Sequence, residues 1–360
     1  MKKKAILYPF CEEVLPAVRV FDGLQDCYEI SGLVAPSGFG CVGMDAGYSC
    51  NHPEIGREVL GELPSEEDWD TLLLFEPRQQ TEELYLEKYL EEAVSRRKEV
   101  VFLCTEENGI PEKIKKTVVA CPKQVRVKAC LSLPEEEGWQ PQVHEPEIPV
   151  VLVGGLLQEA DCGAVFTALA ERFHRDGKRV AAFSGHPVGG LFGFYSLEHI
   201  WRNSELTEDD KVRKINLYIN GMAEKSGAEI ILLEAPTALM KYDDKALNGF
   251  GIQSYMLCQA APPDYLIGCV PFDLADARMV SALSEDFSCR FGCGLCAVHV
   301  SNILLDFADS QQKQKIETLR ANMKFVREKI EKEKESSEIP MFDVIGEGIE
   351  GLYERINGYA

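Results

Sequence analysis

The sequence predicts an α/β protein built from two doubly wound, mostly parallel sheets. Three observations carry this. Short apolar runs alternate with helix-length amphipathic stretches along the whole chain. At 360 residues the chain is long enough for two cores. A stretch rich in Pro, Glu and Gly, without apolar period, divides the pattern at residues 134–149. The expected division is an α/β domain over 1–135, a linker over 136–148 and a second α/β domain over 149–360.

In the first half, residues 5–10 read as a strand and 12–25 as a helix blemished by Pro16. Residues 28–35 and 71–75 read as further strands, 81–97 as a strong helix, 99–104 as a fourth strand and 125–129 as an edge. Strands interleaved with helices imply a parallel, Rossmann-like sheet. The second half repeats the plan. A strand at 150–153 runs into a Gly-containing turn and a helix over about 161–176, closed by Gly177. Strand 180–184 and a loop to Phe194 follow. Thr207 opens a long helix with an acidic residue three positions on, the pattern of a capping box. Strand 229–233 ends at Glu234-Ala235-Pro236. Helix 250–260, strand 265–271, helix 273–284 and strand 294–300 come next. A long charged helix over 310–334, then a short strand and a helix, close the chain.

Composition excludes several classes. Net charge is −21 and the pI is near 4.8, which disfavours nucleic acid or an anionic membrane as partner and admits a basic one. No apolar run approaches the roughly 20 residues of a membrane span. The start is basic and then apolar, but ends at Pro9 after too short a run for a signal peptide. A cytoplasmic location is therefore expected. Thirteen cysteines are scattered rather than patterned, and several, such as Cys104 and Cys269, sit in apolar strands as small hydrophobes. This is no secreted disulfide framework.

Five stretches carry candidate chemistry. The first is the turn after residue 153. Gly154 and Gly155, then Glu159, Asp161, Cys162 and Gly163, stand where a phosphate-cradling loop would stand. Such a loop reads G-x-x-x-x-G-K-[ST]: backbone N–H groups wrap the phosphates, Lys neutralises charge and the hydroxyl holds Mg²⁺. Here Gly155 to Gly163 is too long a gap, and Cys162-Gly163-Ala164 supplies neither Lys nor hydroxyl. The outline is a P-loop-like domain lacking its lysine. Glu159 and Asp161 would repel phosphate, so a purely structural turn competes with a ligand site. The second stretch is Glu234, at the end of an apolar strand, where an acid in nucleotide-binding sheets reaches Mg²⁺ or water. It is a catalytic candidate, and a loop cap is the alternative.

The third stretch follows the second strand. Gly38, Gly40 and Gly43 make a G-x-G-x-x-G spacing, with Asp45 close behind. A dinucleotide fingerprint follows the first strand and opens a helix, whereas Pro36 and Asp45-Ala46-Gly47 read as loop. A loop contributing to a ligand site is the expectation. The fourth is Cys289-x-x-x-Cys293-x-x-Cys296, a spacing able to hold three irons of a [4Fe–4S] cluster. Its place late in the chain, and Cys296 inside an apolar strand, argue against the cluster. The fifth is the histidines. His186, in Ser184-Gly-His-Pro after a strand end, is the best-placed base candidate; His299 with Ser301-Asn302 ends another strand.

Several strings, in their order, resemble the clostridial peptide maturation system family. They are Leu7-Tyr-Pro-Phe, Ile30-Ser-Gly-Leu-Val-Ala-Pro, Gly43-Met-Asp-Ala-Gly, Leu191-Phe-Gly-Phe-Tyr-Ser, Pro262-Pro-Asp, and Phe291-Gly with Val300-Ser-Asn. These are proteins encoded beside radical-SAM peptide maturases and small ribosomal peptide precursors. The resemblance implies an accessory role in maturing a ribosomally synthesised, post-translationally modified peptide. The implied partners are the precursor peptide or the maturase. It implies no reaction. The second half also resembles P-loop domains of the dethiobiotin-synthetase type, which carry the loop Lys and hydroxyl where this chain has Cys162-Gly163-Ala164. Those domains end the acidic strand in Glu-Gly, against Glu234-Ala235 here. An ATP-dependent ligase or transferase with a remodelled phosphate loop is the alternative function, and an Fe–S protein a second alternative.

Overall fold

Apolar runs that are continuous rather than alternating, such as Thr71–Phe75, are buried on both faces, as parallel strands covered by helices require. The computed structural model describes residues 2–65, 68–77, 84–106, 110–131, 142–157, 159–244, 247–313 and 316–357. The chain forms two compact units, Met1–Ser132 with Gly185–His199, and Leu133–Ser184 with Ile200–Ala360. Each holds one six-stranded, all-parallel sheet. Among the described residues no helix is long and apolar enough to cross a membrane.

The first sheet contains β1 (Lys3–Tyr8), β2 (Tyr28–Val34), β3 (Val59–Leu60), β4 (Thr71–Phe75), β5 (Glu99–Cys104) and β6 (Val125–Ala129). Their order is β3-β2-β1-β4-β5-β6, that of the dinucleotide-binding Rossmann fold. Pro16 falls in the first turn of helix Leu15–Leu24, where its missing N–H has no partner to lose. That helix packs on one face of the sheet with Leu7, Leu33 and Leu73. Helices Leu86–Ser95 and Glu112–Ala120 cover the other, burying Tyr89, Leu90, Ala93 and Ile114. The expected helix start at Thr81 lies outside the described residues.

The first face is completed from far along the chain. Val188 is fully buried in one core with Leu7, Phe75, Val101 and Leu103. The side chain of Gln25 donates to Leu191 O at 2.9 Å, and Leu131 bridges to Tyr195. The sequence division assigns residues 185–199 to the second domain; apolar burial places them in the first unit. Of the expected linker, residues 136–141 lie outside the described residues. The remainder carries no helix or strand, and His144 is held by Asn216.

The second sheet contains β7 (Val150–Gly155), β8 (Val180–Phe183), β9 (Ile230–Glu234), β10 (Tyr265–Val270) and β11 (Leu295–Val300). The pair β12 (Ile303–Leu305) and β13 (Thr318–Arg320) forms a separate antiparallel ribbon, and β14 (Met341–Phe342) closes the main sheet. The main order is β14-β11-β10-β7-β9-β8. Helix Glu208–Ser226 begins as expected: Thr207 Oγ1 accepts from Asp210 N–H at 3.2 Å, and Gly227 ends it in the left-handed conformation. The single long helix expected over 310–334 is corrected. Its place is taken by helix Phe307–Lys313, β13 and helix Met323–Glu333. Pairing with β12 and the Asn322 cap on Lys324 N–H interrupt what charge pattern alone joins.

Candidate functional site

The turn after β7 is the centre of the second unit's chemistry. Val153 is registered against Glu234, so the glycine turn and the acid stand on hydrogen-bonded neighbouring strands. Glu234 Oε2 accepts from Ser184 Oγ at 2.5 Å, just past the end of β8. These three strand ends form the edge at which open α/β sheets bind ligands.

The turn itself is closed. Ala160 N–H donates to Leu157 O at 3.2 Å and Asp161 N–H to Glu159 O at 2.8 Å. Leu156, Leu157 and Ala160 are buried. A Cβ on Gly155 would lie 2.7 Å from Cys162 Sγ, 2.8 Å from Cys269 O and 3.0 Å from Leu157 O; on Gly154 it would lie 2.7 Å from Leu239 Cδ2. Both glycines are thus required by close packing against the protein's own atoms. Gly163 lies in the first turn of helix Cys162–Arg175, and its carbonyl accepts from Thr167 Oγ1. Glu159 is exposed.

Asp161 ties the turn to the end of β11, two strands away in the sheet. Its backbone is left-handed, φ 61°, and its side chain makes no cap to its own helix. The carboxylate instead accepts from Ser301 Oγ at 2.6 Å, and His299 Nε2 stands 3.4 Å away. His299 and Ser301 are fully buried. His299 Nδ1 faces Phe342 O and Val344 N–H, each at 3.3 Å. A carboxylate beside a helix N-terminus answers the positive end of the dipole that an anion would otherwise meet. Residues 150–165 contain no Lys or Arg to offset it. Beneath the turn, burial above all, then a hydrogen bond with Cys162 and the nearby Asp161 and Glu234, push the Cys269 thiol far up. The sequence draws attention to His299, Ser301 and Asn302 as polar residues ending an apolar strand. It does not reveal that Asp161 is the partner of His299 and Ser301, or that Asn302 turns to Ala321 O.

His186 lies in the first unit, whereas Glu234 belongs to the second. His186 Nδ1 accepts from Val188 N–H at 3.1 Å, and its Nε2 stands 3.6 Å from Glu13 Oε1. The turn after β1 that a dinucleotide would need carries Glu12 and Glu13 and no glycine. The glycine loop follows β2. Gly38, Gly40 and Gly43 have φ of 89°, 84° and 80°, and no atom lies within 4 Å of a Cβ on Gly40 or Gly43. Left-handed turns, not close packing, explain these two. Asp45 organises the loop, accepting from the N–H groups of Gly47, Ile55 and Arg57 at 2.8–3.0 Å. Burial pushes its carboxyl up, but these backbone donors outweigh that and hold it below the usual range.

The cysteine triplet is not brought together as a ligand set. Cys289 is exposed. Cys293 Sγ faces the carbonyls of Gly294 and Asp264. Burial pushes Cys296 up to about 11. Among the described residues no group of three or more His, Cys, Asp or Glu is placed to hold a metal ion.

No protein-family model matches the sequence, and no curated protein matches it. Its structure is similar to the crystal structure of a DUF1611 family protein from Anabaena variabilis. The TM-score is 0.59 at 12% identity, covering 99% of this chain and 100% of that one. At that identity the likeness shows the fold alone, and it runs through both units. Partial likenesses to the signal recognition particle 54 kDa protein from Aeropyrum pernix in complex with GDP, and to chloroplast FtsY from Physcomitrella patens, each have a TM-score of only 0.28. The first covers 59% of this chain at 14% identity, the second 45% at 12%.

Proposed function

We propose that this protein is a cytoplasmic accessory factor in the maturation of a ribosomally synthesised, post-translationally modified peptide. It acts by binding the precursor peptide or the radical-SAM maturase. The ordered strings that resemble those of peptide maturation system proteins support the pathway. One observation supports binding over nucleotide turnover: the turn after β7 spends the Ala160 and Asp161 amides on its own carbonyls and anchors Asp161 on Ser301. A triphosphate entering there would meet Asp161 and no loop cation. A net charge of −21 favours a basic partner.

Co-expression with a candidate precursor peptide and a radical-SAM maturase, followed by capture on tagged protein, tests the reading. Stoichiometric retention of either partner is the expected result, and it is unchanged in Glu234→Ala. Retention of neither contradicts the reading.

The alternative is an ATP-dependent ligase or transferase with a remodelled phosphate loop. The pairing of β9 with β7, which sets Glu234 beside the turn, favours it. Under that reading Glu234→Ala abolishes ATP turnover.

A further inference from the structure

We infer that the loop between β2 and β3 is a docking surface for a basic peptide segment bearing apolar anchor residues. The inference deepens the peptide-binding reading above and rests on it.

Val42, Met44 and Tyr48 stand within one short stretch and are 52%, 47% and 44% exposed. Apolar side chains gathered on a surface mark an interaction site more often than scattered ones do. The stretch beneath them is firmly built. Gly43 N–H donates to Val59 O at 2.8 Å, Val59 N–H to Met44 O at 2.9 Å and Ala46 N–H to Arg57 O at 2.8 Å. Three backbone N–H groups converge on the Asp45 carboxylate. The anchors are therefore held in place before any partner arrives, which lowers the ordering cost of association.

Charge selects the partner. Exposed acids Glu54, Glu58 and Glu62 lie along the same loop and its return strand. Tyr48 OH donates to Glu54. Val42 lies over Gly61, next to Glu62. Met44 pairs with Val59, next to Glu58. Glu12 is within electrostatic reach of Cys41. Arg57, the one Arg or Lys over residues 36–62, is spent on Ile30 O and Asp22, and Arg19, which reaches the loop from outside it, on Pro53 O. An apolar surface with an acidic rim complements a segment of apolar residues flanked by Lys and Arg. It repels an acidic peptide, nucleic acid or an anionic membrane.

The test is fluorescence polarisation with the full chain and two labelled synthetic peptides. One alternates Leu and Phe with Lys; the other has Glu in place of every Lys. The basic peptide binds saturably, and the acidic one at least about tenfold more weakly. The double variant Met44→Ser with Tyr48→Ser weakens the basic peptide by about tenfold, as loss of anchors does. Glu54→Lys with Glu58→Lys weakens it too and flattens its salt dependence. All four positions are exposed, and an unchanged melting curve shows the fold intact. Failure of wild-type protein to bind the basic peptide, equal binding of both peptides, or equal binding by the Met44→Ser, Tyr48→Ser variant overturns the inference. Precursor capture separates the two readings. If the loop variant captures precursor as wild type does, the docking surface is wrong and the peptide-binding reading stands. If wild type captures neither precursor nor maturase, the reading itself fails.

Discussion

Ser301 Oγ donates a 2.6 Å hydrogen bond to Asp161 Oδ2 across 140 positions of sequence, joining the turn after β7 to the end of β11. Ser301 is fully buried and the Asp161 side chain is 7% exposed. Removing the hydroxyl leaves a buried carboxylate short of a donor, which costs about 1–3 kcal/mol. Ser301→Ala therefore lowers the thermal midpoint of the second unit, and a melt followed by circular dichroism checks it. An unchanged midpoint means that the bond contributes little.

Asp45 gives stability a defined acid limb. Its carboxyl is held below the ordinary value of 3.8 when folded. A depressed folded pKa contributes stability that is fully present above the unfolded value. That contribution is lost as pH falls from about that value through the folded pKa. Asp45→Asn removes this dependence. Urea titrations of both proteins from pH 6 downward should show the stability difference shrinking below about pH 4.

Gly190 fixes the return of residues 185–199 onto the first unit. A Cβ there would lie 2.7 Å from Ala129 O and 2.8 Å from its carbonyl carbon, atoms of the backbone that have no rotamer by which to yield. Gly190→Ala should cost about 1–3 kcal/mol. It should also raise proteolysis in the 185–199 segment, read by limited digestion and mass spectrometry. Wild-type resistance would show that the segment can shift without cost.

Thiol labelling separates the cysteines. Cys27 and Cys289 are exposed, whereas Cys50, Cys130, Cys162, Cys258 and Cys269 are buried. Burial pushes Cys258 up to about 12, and Cys11 to about 12 with Glu13 adding to it. Iodoacetamide at pH 8 should modify Cys27 and Cys289 first, with the buried set reacting only after denaturation. A bound [4Fe–4S] cluster would instead protect Cys289 together with Cys293 and Cys296.

Much of the frame was legible because parallel strands buried on both faces read as unbroken apolar runs. Thr71–Phe75 and Glu99–Cys104 match their observed bounds on that signal, and the edge strand Val125–Ala129, with Arg126 and Lys128 alternating with apolar residues, matches its bounds on its period of two; Glu234 ends a strand beside the glycine turn. The two-residue β3 and the β12–β13 ribbon were not legible, since strands of two or three residues have no period to detect. The charged stretch after Ser310 misled because helix propensity does not see the partner strand that claims Thr318–Arg320. The site was half visible. The missing Lys and hydroxyl after Gly163 are facts of sequence. The Ser301–Asp161 bond and the burial of Val188 in the first unit are long-range contacts that no local pattern encodes.

The most direct test of a closed turn is calorimetric and thermal-shift titration of the wild-type chain with ATP and GTP in the presence of Mg²⁺. A closed turn predicts no saturable heat and no rise in melting temperature. Saturable binding, with the roughly 2.7 kcal/mol of added stability expected at a hundredfold excess over Kd, would contradict it. That result would make the strand ends at Gly154 and Glu234 a nucleotide site.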